Sequence, residues 1–163
     1  MVSDRIVKML NDQIVLEGDS SQVYLAMAVW AQANGWRGTA SFMYAQAEEE
    51  RSHMFKLIHF LVELGATPVV PAIEAPKASY KDIEEVFAVA LAHEKKVTAS
   101  IHKIISESRQ TNDYPVITFL QWFVNEQVEE ESNVNAVLDL ISKAGKVSLF
   151  LADKEIGALR SAK

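Results

Sequence analysis

Four long stretches of this chain repeat apolar side chains at intervals of three and four residues, and each stripe is broken by a glutamate. That interval is the period of a helix with one buried face, so the pattern predicts four amphipathic helices that each carry a carboxylate inward. The first runs from about Ser3 to Asn34, with Ser3 and Asp4 as N-cap candidates and Asn34-Gly35 as a stop. Its stripe is Leu10, Ile14, Glu17, Ser21, Tyr24, Ala28 and Ala31. The second, Thr39 to Leu64, follows Met43, Ala47, Glu50, Met54, Leu57, Leu61 and Leu64, and His53 projects from the same face as Glu50. Ser79, with Asp82 three residues on, predicts a capping box that opens the third helix along Ile83, Phe87, Ala90, Glu94, Val97, Ile101 and Ile104. The fourth has Pro115 in its first turn and runs to about Lys143. Two registers fit it, one burying Phe123, Gln127 and Glu130, the other Leu120, Gln127 and Glu131. Periodicity does not choose between them.

The connections set the topology. The Gly35–Gly38 loop is short, which makes helices one and two antiparallel neighbours. Ala66 to Ala78 carries Pro68, Pro71 and Pro76, which keep it extended. At up to ~3.3 Å per residue it spans most of a bundle's length. The expected fold is therefore all-α, a four-helix bundle with a long crossover between helices two and three. After Gly145, Val147 to Leu159 reads as a short fifth helix at the C-terminal end. Val23, Met27 and Trp30 give helix one a second apolar face, and helix five is too short to stand alone. Both predict burial against another helix or another subunit.

Composition narrows the function. The chain's 163 residues fit a single domain over 1–163. With no cysteine, disulfides and thiolate-held metals are excluded. A net charge of −6 without a basic patch argues against nucleic-acid binding. No apolar run approaches the ~18 residues of a membrane span, and the first residues lack a signal-peptide core, so a cytoplasmic location is expected. His59, His93 and His102 read as surface residues, and Trp36 and Trp122 as packing residues.

No Lys or Arg lies on the buried stripes to pair with Glu17, Glu50, Glu94 or the fourth-helix glutamate. Unpaired buried carboxylates each cost several kcal/mol, against a whole-protein stability of ~5–15 kcal/mol. In the empty state, burial and mutual repulsion should raise their pKa values. Bound cations relieve the conflict. Four negative charges balance two divalent ions, and mixed carboxylate and imidazole donors favour iron or manganese, with zinc a competitor.

The combined pattern of Glu17, Glu50-x-x-His53, Glu94 and Gln127-x-x-Glu130 resembles the bacterial non-haem ferritins, within the ferritin-like diiron carboxylate family, over the whole chain. The resemblance implies that Glu17, Glu50 and His53 hold one iron, that Glu50, Glu94 and Glu130 hold a second with Gln127 beside them, and that Glu130 rather than Glu131 faces inward. It further implies a third iron position at Glu49, Glu126, Glu129 and Glu130, which would otherwise pass as a solvated acidic face. Tyr24 is then expected to hydrogen-bond near the diiron site and to donate an electron, where the stripe alone reads it as a core tyrosine. The haem-containing relatives carry a second Glu-x-x-His where this chain has Gln127-x-x-Glu130, so no haem is expected. The implied activity is a ferroxidase: Fe(II) is oxidised with oxygen or peroxide, and the ferric product is stored as a mineral inside a 24-subunit homo-oligomeric shell. Two other classes remain open, a diiron oxygenase or peroxidase acting on a separate substrate, and a shell scaffold without turnover.

Overall fold

Ser3 opens the first helix by accepting a hydrogen bond from the Ile6 amide, so α1 runs Asp4–Ala33. In this computed structural model, residues 2–161 are described. The other elements are α2 (Arg37–Glu63), α3 (Ile83–Thr111), α4 (Tyr114–Ala144), a 3-10 turn (Lys146–Ser148) and α5 (Leu149–Ser161). Among the described residues there is no strand. The fold is an all-α bundle: α1 packs on α2 and on α3, α3 packs on α4, and 64–82 forms the long crossover.

Three boundaries differ from the sequence reading. α2 begins at Arg37, ahead of Thr39. α3 begins at Ile83 rather than Ser79: Asp82 is the N-cap, accepting from the Glu85 amide, and Glu85 accepts from the Lys81 amide. The cap is therefore Asp82 on Glu85, one turn later than Ser79 with Asp82, and the return bond to Glu85 comes from Lys81 rather than from the N-cap amide of a capping box. The fifth helix begins at Leu149, after the 3-10 turn.

The supposed spare face of helix one is largely absorbed by the subunit itself. Met27 is fully buried in the core, and Trp30 meets Tyr80 edge-to-face, with ring centroids 5.6 Å apart. The outward apolar residues of α1 are instead Val15, Leu25 and Val29. The fifth helix likewise docks on its own chain. Ile156 and Ala152 are buried, and the buried Asp153 carboxylate accepts from the amides of Gly38 and Thr39 (2.8 and 2.7 Å) and from the Thr39 hydroxyl (2.7 Å). It thereby caps α2, whose own N-cap, Trp36, offers no side-chain bond. A Cβ on Gly38 would lie 1.7 Å from the Asp153 carbonyl oxygen, so only glycine admits this crossing.

Two apolar clusters fill the bundle. One gathers Tyr24, Met27, Phe42, Met43, Phe87, Val134 and Val137; the other gathers Leu10, Ile14, Leu57, Leu61, Ile101, Leu120 and Phe123. Along every helix, the predicted glutamate falls between the two clusters. A polar layer thus crosses the middle of the bundle, with a dry core on either side.

Candidate metal centre

Each long helix contributes to this layer because its stripe carries one polar residue between apolar neighbours. Glu17 comes from α1, Glu50 and His53 from α2, Glu94 from α3, and Gln127 and Glu130 from α4; none is more than 3% exposed. In α4, Glu130 faces inward, while Glu131 is half-buried and accepts from the Thr98 hydroxyl at 2.6 Å.

The cation beside Glu17 and Glu50 is His53. Its Nδ1 lies 3.7 Å from Glu17 Oε2 and 3.5 Å from Glu50 Oε2. Burial pushes the imidazole pKa down, but hydrogen bonding and charge from Glu17 and Glu50 outweigh it and raise the value to about 11. Burial, with repulsion from Glu17 and Glu94, raises Glu50 well above the usual carboxylate range against the pull of His53. Burial also raises Glu94, despite hydrogen bonds from Tyr24 and Gln127. Glu17 departs from the expectation of four raised values. Burial pushes it up, yet interactions with His53, Glu50 and Gln13 win, and its pKa is lowered.

The donors around the layer are phenol and amide groups. The Tyr24 hydroxyl donates to Glu94 Oε1, and burial with the charges of Glu94, Glu50 and Glu130 keeps that proton in place. Gln127 Nε2 donates to Glu94 Oε2 at 3.0 Å. Gln13 Nε2 donates to Glu17 Oε1 at 2.7 Å, and Gln46 Nε2 donates to Glu130 Oε2 at 2.6 Å and to Glu50 Oε1 at 3.4 Å. Gln13 and Gln46 were missed in the sequence. The available signal was their position one turn before Glu17 and Glu50, the spacing at which helical side chains meet.

Among the buried polar atoms for which the geometry gives no hydrogen bond are Glu17 Oε2, Glu50 Oε2 and His53 Nδ1, which face one another. A ligand atom from each of these residues can be chosen within 4.8 Å of the others. Two carboxylates and an imidazole, converging in a buried layer, form a set that fits a divalent transition metal in place of the imidazole proton. A second such group joins His53 to Glu49 and Glu126, which are half-buried. Glu129 is exposed and lies outside both groups. The surface reading of His93 needs correction, and the packing reading of Trp122 gains a partner. His93 is half-buried, within 2.7 Å of the Ser20 hydroxyl through Nε2 and edge-on to Tyr24. Trp122 packs edge-to-face on His53 at 5.3 Å, with the Lys56 ammonium 4.1 Å above its ring. His59 and His102 are exposed, as expected.

The chain is similar to known proteins over nearly its full length. A family model described as a ferritin-like domain matches residues 7–144. A probable bacterial non-heme ferritin-like protein of Haemophilus influenzae is 42% identical over 161 residues, covering 98% of both chains. A bacterial non-heme ferritin of Escherichia coli is 35% identical over 98% of both chains. A solved open pore ferritin from the archaeon Archaeoglobus fulgidus superposes with a TM-score of 0.93 at 32% identity, covering 96% of this chain and 98% of that one.

Proposed function

The chain belongs to the ferritin family, alongside the bacterial non-heme ferritins, and on that premise we propose that it oxidises Fe(II) at the polar layer and stores the ferric product within a 24-subunit shell. Family membership supports iron storage as its role. The observation that carries the ferroxidase reading is the buried trio of Glu17, Glu50 and His53, whose ligand atoms lie within 4.8 Å of one another with no Lys or Arg beside them among the described residues.

Iron enters as substrate. Glu17, Glu50 and His53 hold one Fe(II); Glu50, Glu94 and Glu130 hold a second, with Gln127 orienting Glu94. Two Fe(II) supply two electrons, which reduce peroxide to water, or oxygen to peroxide, with two protons consumed in either case. Bound iron favours the deprotonated ligands, so its uptake displaces the proton that Glu17 and Glu50 hold on His53. Tyr24 keeps its proton on Glu94 and is placed to give an electron to the site. Glu49 and Glu126, sharing His53 with the centre, form with Glu129 and Glu130 a third position at which iron passes toward the cavity.

We place this activity in a single domain, 1–163, acting in the cytoplasm. No described helix is long and apolar enough to cross a membrane. Assembly is supported by apolar side chains that this chain leaves outward, including Val15 and Val29 on α1, Val69 and Val70 on the crossover, and Phe150 and Leu151 on α5. The test is aerobic loading of metal-free protein with Fe(II) in large excess over chains. The expected result is a soluble particle of about 24 chains that retains iron through size exclusion and shows an electron-dense core. Monomeric protein with only surface-bound iron overturns the proposal.

A further inference from the structure

Gln46 stands apart from the other residues of the layer. It is 1% exposed, and its one amide nitrogen serves carboxylates on two helices: Glu130 Oε2 on α4 at 2.6 Å and Glu50 Oε1 on its own α2 at 3.4 Å. Gln13 does the corresponding work on α1, but for one carboxylate alone, Glu17 Oε1 at 2.7 Å. An amide bonded to one oxygen of a carboxylate fixes its rotamer and leaves the second oxygen to the metal. By donating to two like-charged groups at once, Gln46 also offsets their repulsion while the layer is empty.

We propose that Gln46 is the positioning residue of the second metal position, holding Glu130 and Glu50 at the separation that a divalent ion needs, and that Gln13 performs the same role for the first position through Glu17. The assignment rests on the diiron reading above. It adds a division of labour: Gln46 governs the second position through its short bond to Glu130, and Gln13 the first through Glu17, while Glu50, shared by both, takes only the longer bond from Gln46.

The chemistry makes this separable by mutation. Methionine matches glutamine in length and volume but lacks the amide donor, so Gln46→Met and Gln13→Met retain packing and remove the hydrogen bond. Loss of an outer partner of a metal ligand typically lowers affinity about 10–100-fold. The assembled, metal-free proteins are titrated calorimetrically with Zn(II), a redox-silent probe, and crystals soaked in the same ion are measured by anomalous diffraction to give the occupancy of each position.

Gln46→Met is expected to weaken binding at the Glu50–Glu94–Glu130 position by about tenfold or more, with the Glu17–Glu50–His53 position still filled. Gln13→Met is expected to show the reverse. Equal loss at both positions in either variant shows general loosening and overturns the assignment, as does wild-type occupancy of both positions in Gln46→Met. Should Gln46→Met fail to assemble, Gln46→Leu is read by the same criteria. A wild-type protein that takes up no Zn(II) in the layer overturns the diiron reading itself, an outcome distinct from failure of the glutamine assignment.

Discussion

Glu50→Ala is expected to slow the initial oxidation of Fe(II) at least about 100-fold, the upper end of what loss of an outer partner of a metal ligand costs, while the helices remain assembled. Glu50 interacts with groups on three of the four long helices. Its Oε2 faces His53 Nδ1 at 3.5 Å, its Oε1 takes the Gln46 amide, and its charge acts on Tyr24. Under the proposed ligand set, its removal takes a ligand from both iron positions, whereas loss of Glu17 or Glu94 takes one from a single position. Stopped-flow absorbance after aerobic addition of Fe(II) reads the effect. An unchanged initial rate in Glu50→Ala places the chemistry elsewhere. The helices should tolerate the change because the two apolar clusters on either side of the layer are untouched.

The second large effect concerns pH. His53 has a folded pKa of about 11 against 6.5 in the unfolded chain, so the stability it contributes is present below about pH 6.5 and is lost as pH climbs toward 11. Glu50 and Glu94, both raised, add a cost as pH climbs above 4.5. Glu17, lowered, acts on the acid side, where its contribution disappears as pH falls through its folded value. From neutral pH upward, His53 loses its contribution as the pH approaches its folded value. Metal-free protein is therefore expected to lose at least ~5 °C of melting temperature between about pH 6 and pH 9, on a scale of ~2–4 °C per kcal/mol for chains of this size. Zn(II) is expected to reverse that slope, because coordination favours the deprotonated ligands and stabilises the folded state by mass action. Thermal unfolding with and without Zn(II) across this range decides it. A slope unaffected by the ion means that these groups do not bind it.

The glutamates were legible because helical periodicity is a strong signal and a lone charge on an apolar stripe stands out. Glu17, Glu50 and Glu94 each lie between buried neighbours three or four residues away on their own helix. α4 was ambiguous because apolar residues flank both sides of its buried line: Val124 and Leu138 are half-buried beside Phe123 and Val137. There only the resemblance chose Glu130, and the packed structure places it inward. Gln13 and Gln46 were passed over because an uncharged polar side chain near a stripe reads as a solvated flank; only the tertiary arrangement places the Gln46 amide on α4. Asp153 was out of reach for a related reason. Its partners, Gly38 and Thr39, lie more than a hundred residues away in sequence, and capping rules look only for local side chains. The second face of α1 showed the limit of pattern alone. Periodicity announced that Met27 and Trp30 needed cover, but not that this chain would supply it.

The central claim is that the four helices hold two metal ions in one buried layer. Anomalous diffraction at the iron edge, from crystals of metal-free protein soaked anaerobically in Fe(II), tests it most directly. The account predicts two iron peaks per chain, one among Glu17, Glu50 and His53 and the other among Glu50, Glu94 and Glu130. Iron confined to exposed carboxylates, with no peak in the layer, would contradict it.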